Sequence, residues 1–428
     1  MKHASIPPEL FRANRERLSK LLLKNSLAAV NANDVLPTNA DGTLILQPNS
    51  DLFYLTGIEQ EETILLLAPN AFDEKFREIL FLREPTEKSE IWEGHKFSKD
   101  QAKNVSGIKR VEWFSEFRPI FHRLMCEVEN VYLNSNEHRR AVVEVETRDA
   151  RFVRDTQARY PLHHYQRLGR IMHQLRVVKS KAELDLIKQA CAITRKGFLR
   201  VAKFVKPGVN EAEVEAEFAH EFLRHKAGFA YSPIIGAGRN SCALHYLQND
   251  QPCRKGEVLL LDVAAGYANY KSDLTRTLPV SGRFSRRQKQ VYNSVLRVFR
   301  ASVAGLVAGK LHKTWQEEAE KLMEEELVKL GLITHRDIKK QNPDEPALRK
   351  YFMHGLGHPL GLDVHDLGFT EQPFAPGWVM TVEPGIYLPE EGFGVRLEND
   401  VLVTANGPVD LMADIPIEAE EIEDSMNR

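Results

Sequence analysis

Four carboxylates in the second half of this 428-residue chain sit on apolar, strand-like stretches: Asp262, Asp273, Glu383 and Glu398. The first two belong to VLLLDVAAGYANYKSDLTRTLPV, residues 258–280. An apolar run from Val258 to Leu261 ends at Asp262. A turn-like Gly266-Tyr267-Ala268-Asn269 follows, and a β-rich return passes through Leu274, Thr275 and Thr277. The pattern predicts two antiparallel strands joined by a tight turn. A turn centred on Tyr267 and Ala268 sets Asp262 directly opposite Asp273. Facing residues on one sheet face have Cβ atoms roughly 4.5–5.5 Å apart. Two carboxylates that close repel, and burial raises the cost. A divalent cation between them, or a pair of cations, removes it. Two solvated turn aspartates would need no cation, so this pair alone leaves both readings open.

The second pair repeats the pattern. Met380–Tyr387 reads MTVEPGIY, a loop spans 388–392, and the chain returns as FGVRLE over 393–398. One carboxylate stands on each arm, Glu383 and Glu398, flanked by apolar Val382, Val395 and Leu397. Two such hairpins predict an internal pseudo-symmetric pair, each half offering one side of a site. Between them in sequence, Tyr351–Asp366 carries His354, His358 and His365. His354 and His358 have the spacing of a helical zinc pair, but Gly355, Gly357, Pro359 and Gly361 argue against a helix, and the glutamate of that motif is absent. The expectation is a glycine-rich loop holding imidazoles around a cleft. Four carboxylates and one imidazole balance two divalent cations, and such an oxygen-rich set suits Mn(II), Co(II) or Fe(II). A two-metal site acidifies water and clamps a carbonyl oxygen, so the reaction class is hydrolysis.

The elements that must position these groups follow from patterning. Residues 8–24 read as a helix, and strand-like runs lie at Leu27–Val30, Thr43–Leu46, Thr63–Leu67 and Ile79–Leu82, with helical stretches near 98–104 and 115–128. Asn49–Gly57 reads as a turn followed by an aromatic strand, and Trp92 as a packing residue. The basic stretch 160–178 reads as a connector in which His163, His164 and His173 are solvated or packed. From Ser180 onward helices are well signalled. Ser180 with Glu183, Asn210 with Glu213, Ser285 with Gln288, and Thr314 with Glu317 each predict a helix start. The acidic tail Glu418–Asp424 is expected to fray. The domains expected are an α/β unit over 1–165, a linker over 166–179 and a catalytic unit over 180–428.

Composition excludes other classes. With 58 basic and 60 acidic side chains the formal charge is −2, which offers no electrostatic footprint for nucleic acid or a membrane surface. No apolar stretch approaches the ~20 residues of a membrane span. The N-terminal residues lack the apolar core of a signal peptide, so a cytoplasmic location is expected. Cys126, Cys191, Cys242 and Cys253 form no CxxC, which argues against a disulfide framework or a cysteine zinc site.

Several segments, in this order and spacing, resemble the metal-dependent peptidases of the pita-bread fold, the superfamily of methionine aminopeptidase, prolidase and aminopeptidase P. They are Ser241-Cys242-Ala243-Leu244-His245-Tyr246, the Asp262/Asp273 hairpin, HGLGHPLGLDVHD (354–366), TVEPGIY (381–387) and VRLEND (395–400). Asn49–Gly57 is similar to a stretch of the N-terminal domain of aminopeptidases P. The resemblance implies an α+β chain, a pita-bread catalytic domain preceded by an α/β N-terminal domain. It implies Asp262, Asp273, His358, Glu383 and Glu398 as ligands of two divalent ions, Mn(II) first, with Co(II), Fe(II) or Zn(II) as alternatives. Asp273 and Glu398 would bridge. Glu383 would also serve as general base and acid, His365 would polarise the scissile carbonyl, and His354 would join the catalytic group at the cleft. His245, Arg396 and Tyr387 would contact substrate, as would Trp92 and Asp51, the latter two closing the site across an oligomer interface. Two positions depart from the family pattern, Pro359 and Asn399, and neither removes a ligand.

The implied reaction is removal of an N-terminal residue from peptides with proline second, by a homo-oligomer, dimer or tetramer, with no nucleic-acid or membrane partner. Prolidase, restricted to Xaa-Pro dipeptides, shares the ligands and is the alternative reading. A metal-free pita-bread binding protein is a more distant one, since such a protein would lack the five ligands.

Overall fold

The computed structural model describes residues 3–427 apart from 143 and 370. Two compact units emerge, His3–Arg176 and Val177 onward.

The first unit is built on a six-stranded sheet. Its spatial order is Val111–Trp113, Glu78–Leu82, Ile64–Leu67, Ser26–Asn31, Asn130–Leu133, His164–Arg167. Ser26–Asn31 runs antiparallel to Ile64–Leu67 but parallel to Asn130–Leu133. Both central strands are buried throughout, which is why their sequences show continuous apolar runs rather than alternation. One face packs Leu27, Ala29, Leu66, Ile79 and Phe81 against Phe117, Phe121 and Leu124 of the helix Phe117–Met125. The helix Pro8–Leu21 buries Leu10, Phe11 and Leu18.

Three readings in this unit are corrected. Asn49–Gly57 holds a helix, Ser50–Thr56, and not an aromatic strand. Asn49 accepts from the backbone N–H groups of Asp51 and Leu52, and Gly57 ends the helix at φ 69°. Those two residues are a start and a stop signal at helical spacing. Thr43–Leu46 forms no strand, only an isolated bridge between Thr43 and Pro37. Residues 160–178 hold the edge strand His164–Arg167 and the helix Gly169–Val177. His163 bonds the carbonyl of Met125 at 2.7 Å.

The second unit carries the long helices Lys181–Phe204, Glu211–Arg224, Arg286–Gly305 and His312–Lys329. The capping boxes at Ser180/Glu183, Asn210/Glu213 and Ser285/Gln288 are all formed. The fourth helix starts earlier than Thr314, at His312 after Leu311, without a side-chain cap. The tail is a helix, Ala419–Met426, because Ala419 and Ile422 are buried and Glu418 and Glu421 cap each other's backbone.

The hairpins are where register decides chemistry. Strand Val258–Asp262 pairs with Thr275–Pro279, and Asp262 faces Thr275 rather than Asp273. The turn falls on Ala268 and Asn269, at φ 51° and 66°, one residue beyond the expected centre. Moving the centre by one shifts the pairing by two, so Asp273 stays on the face of Asp262 as a diagonal neighbour. In the second hairpin Val382 faces Asn399 and Gly385 faces Arg396, which places Glu383 opposite Glu398. The Glu398 N–H donates to the Thr275 carbonyl at 3.1 Å and joins the two hairpins. Behind the first hairpin, Thr194 of the helix Lys181–Phe204 accepts from the Ala265 N–H at 2.8 Å.

Candidate active site

Asp273 and Glu398 are almost fully buried, at 4% and 2% exposure, and the ligand atoms of Asp273, His358 and Glu398 lie within 4.8 Å of one another. His358 Nε2 is 3.6 Å from both Asp273 and Glu383. Its Nδ1 sits 3.1 Å from the Pro359 carbonyl, which suits an Nδ1–H tautomer that leaves the Nε2 lone pair facing the acids. Thr275 donates to Glu398 at 2.6 Å. Tyr231 bridges the first pair, 2.5 Å from Asp262 and 2.6 Å from Asp273. Burial and then the neighbouring carboxylates push Asp273 and Glu398 well above the ordinary carboxylate range. Burial and the same acids raise the Tyr231 phenol.

Arg396 closes one side. It is buried and reaches Asp262 at 2.5 Å, Tyr387 at 2.9 Å and Thr275 at 3.1 Å. Burial alone would lower its pKa, but Tyr387, Asp262, Glu398 and Glu383 outweigh that and hold it charged. The Tyr387 hydroxyl lies 2.8 Å from His354 Nε2. Burial and then the Arg396 charge push His354 down to about 3, so its imidazole is neutral. The rings of His358 and His365 stand edge to face, 4.3 Å between centroids. His245 is exposed, and its electrostatic influence reaches His354, so the two imidazoles share one region.

One unit thus brings together Asp262, Asp273, Glu383, Glu398, His354, His358, His365, Arg396, Tyr387 and His245. Trp92 and Asp51 belong to the other unit. Trp92 is 79% exposed on the helix Glu87–Glu93. Asp51 bonds Arg176 at 2.8 Å and Asn134 at 2.9 Å.

Sequence reasoning passed over Tyr231, Asp400, and the Lys179–Asp366 pair. Asp400 accepts the backbone N–H of Asp273 at 3.0 Å. Lys179 and Asp366 form an ion pair with both side chains 1% exposed. Tyr231 lies three residues before Ile234, which pairs with Asp262. No local spacing reports that pairing.

The donor set is four carboxylates and one imidazole with its lone pair turned inward. Two of the carboxyls are raised by burial and then by the neighbouring acids, a strain that divalent cations relieve. The residues therefore fit a metal centre of hard, oxygen-preferring ions.

Residues 185–405, over half of the chain, match the model for metallopeptidase family M24, and residues 11–132 match that for the aminopeptidase P N-terminal domain. The chain belongs to metallopeptidase family M24. Within that family, Escherichia coli Xaa-Pro aminopeptidase is 32% identical, covering 98% of each chain. The structure of zinc-substituted Escherichia coli aminopeptidase P in complex with product matches with a TM-score of 0.86 at 32% identity over 99% of each chain. Pseudomonas aeruginosa aminopeptidase PepP matches with a TM-score of 0.88 at 30% identity, over 99% of this chain and 98% of that one. The M24 architecture is the expected one, α+β, with a pita-bread catalytic part preceded by an α/β part. As an M24 member the chain is a metal-dependent peptidase. Among the described residues no helix is long and apolar enough to cross a membrane.

Proposed function

We propose that the cluster of Asp262, Asp273, His358, Glu383 and Glu398 holds two divalent ions, Mn(II) first. The chain is a metal-dependent aminopeptidase that hydrolyses the N-terminal Xaa-Pro bond of peptides. The single observation that carries the site assignment is the convergence of four carboxylates and one imidazole, Asp273 and Glu398 buried among them, in one unit. When bound, the ions supply Lewis acidity toward water and the scissile carbonyl.

The chain's own residues do the rest. Glu383, half-buried within 4 Å of both His354 and His358, takes the proton of the attacking water and returns it to the leaving nitrogen. His365 donates toward the carbonyl oxygen as it becomes tetrahedral. His354, neutral across the physiological range, donates from Nδ1 to the Gly355 carbonyl and accepts from Tyr387 at Nε2, so its ring lines the cleft without adding charge. Arg396 and Tyr387 orient it and shield Asp262. A proline nitrogen is a tertiary amide without N–H, so a cleft that packs the ring against imidazoles accepts a bond that N–H-binding peptidases handle poorly.

Exposed Trp92, beside exposed Ile91, supports an oligomer in which that face meets another copy, as dimer or tetramer. Asp51 is a weaker candidate for the same role, because Arg176 and Asn134 already engage its carboxylate. The balanced charge supports an enzyme without nucleic-acid or membrane-surface partners, and a cytoplasmic location is part of the same proposal. The domain boundary proposed falls at Arg176/Val177, where the two compact units divide, in place of the expected linker over 166–179.

Cleavage of Xaa-Pro-Yaa and of Xaa-Pro, each with Mn(II) and with a chelator, tests the reading. Metal-dependent cleavage of the tripeptide is expected. Cleavage of the dipeptide alone makes the enzyme a prolidase. No cleavage of either by folded, Mn(II)-supplied protein overturns the peptidase assignment.

A further inference from the structure

Glu211 is fully buried at the first position of the helix Glu211–Arg224. The helix start does not need it. Asn210 accepts from the Ala212 N–H, and Glu213 reaches back to the Asn210 N–H, so the orphan donors there are already served. The Glu211 carboxylate turns instead to one distant segment. Oε1 accepts from the Ala237 N–H at 2.7 Å and from the Asn240 side chain at 3.4 Å. Oε2 accepts from the Tyr246 hydroxyl at 2.8 Å and the Gln251 N–H at 2.9 Å. These are four neutral donors around a buried charge. Burying a carboxylate is costly unless its lone pairs are met, and here the segment 237–251 meets them.

That segment carries His245. It leaves the strand Ile234–Ala237, makes the single turn Gly238–Cys242, and exposes His245 beside Tyr246. Two further clamps hold it. Ser241 accepts the Gly394 N–H at 2.7 Å, which ties the loop to the strand Phe393–Arg396. Asn249, buried at φ 47°, accepts from the Ile235 N–H at 3.1 Å and donates to the Pro233 carbonyl at 3.0 Å and to Glu215 at 2.9 Å. An exposed imidazole in a loop thus rests on a buried frame, and Glu211 is the part bonded to His245's own neighbour.

We propose that Glu211 is a positioning residue for His245, fixing where that imidazole meets substrate without touching substrate itself. The proposal rests on the reading of His245 as a substrate-contacting residue. A Glu211→Gln amide turns one acceptor into a donor that faces donors, so the loop must shift. A shift of about 1 Å in a positioned group costs roughly ten- to a hundredfold in rate.

The test is a double-mutant cycle on kcat/KM for Xaa-Pro-Yaa, with metal content and thermal unfolding measured on every variant. Glu211→Gln is expected to lower kcat/KM about tenfold with metal content retained, and to change it less than about twofold when His245→Ala is already present. Tyr246→Phe removes the bond to Glu211 beside His245, together with a longer contact to Asp250 at 3.4 Å, and is expected to show the same coupling at about threefold. It carries the test should Glu211→Gln fail to fold. In the histidine ¹H–¹³C spectrum, the His245 signal, identified by its loss in His245→Ala, is expected to move in Tyr246→Phe. A cost that is the same with and without His245, or an unmoved His245 signal, overturns the proposal. Wild-type cleavage is read first, so a failure of the peptidase assignment shows itself separately. The spectrum then still decides the role of Glu211.

Discussion

A phenol has one proton to give, yet the Tyr231 hydroxyl lies 2.5 Å from Asp262 and 2.6 Å from Asp273. One contact takes that proton, and the other sets oxygen against oxygen between two buried acids. Tyr231 therefore spaces the two acids and shares their charge. Tyr231→Phe leaves all five proposed ligands in place. It is expected to lower kcat about tenfold while the metal stoichiometry holds, as measured by steady-state kinetics beside elemental analysis. Loss of metal in that variant would instead make the hydroxyl a support of ligand geometry.

At the scale of elements, the imidazole loop is shaped by how closely its backbone approaches a strand. A Cβ on Gly357 would lie 2.0 Å from the Thr381 carbonyl oxygen, on the strand Val379–Val382. The Thr381 N–H donates to the His358 carbonyl at 2.9 Å, and the Thr381 side chain accepts from the His358 N–H at 3.0 Å. Only glycine allows this docking. Gly357→Ala is expected to push His354 and His358 off the carboxylate hairpins, with kcat/KM falling more than about a hundredfold and apparent metal affinity weakening. Kinetics together with a metal titration check both. A Gly357→Ala enzyme that binds metal normally would show that the loop relaxes elsewhere. The buried Lys179–Asp366 pair holds the far end of the same loop, one residue after His365.

On the scale of the molecule, the two units answer to different ligands. The crowded acids of the second unit oppose folding until cations arrive, so excess Mn(II) is expected to raise its melting temperature and chelation to lower it. A hundredfold excess over Kd corresponds to about 2.7 kcal/mol. A melting curve indifferent to both would argue against a metal centre in these residues. The first unit responds to protons. Burial, opposed by the Asn31 bond and reinforced by the nearby Asp51 charge, pushes the Asp149 carboxyl up to about 7 from 3.8. Asp149 as a whole residue is only partly covered, so its effect is on the order of 1–2 kcal/mol. Between those two values the folded protein keeps a proton that the unfolded chain releases. Stability is therefore fullest on the acid side and falls as pH rises toward 7. Asp149→Asn is expected to flatten that slope in denaturant titrations from pH 4 to 7, and an unchanged slope would remove Asp149 as its cause.

Helix starts were legible because a cap needs only residues three positions apart, as at Ser180/Glu183 and Asn210/Glu213. The four carboxylates were legible because each interrupts or borders an apolar strand, and the face of Asp273 survived a misjudged turn since the pairing shifted by an even number. The same local logic erred where its own signals went unread, at Asn49 and Gly57 around the helix Ser50–Thr56, and where burial of Ala419 and Ile422 orders the tail helix Ala419–Met426. What the sequence by itself determined is therefore the inventory of candidate ligands, the two hairpins and three of the four marked helix starts, all set by spacing along the backbone. The tertiary structure alone decided the register that aligns Asp262 with Thr275, the Tyr231 bridge, the Asp400 support and the hold of Glu211 on the His245 loop. Each of those joins segments far apart in the chain, and only burial makes their polar groups seek one another.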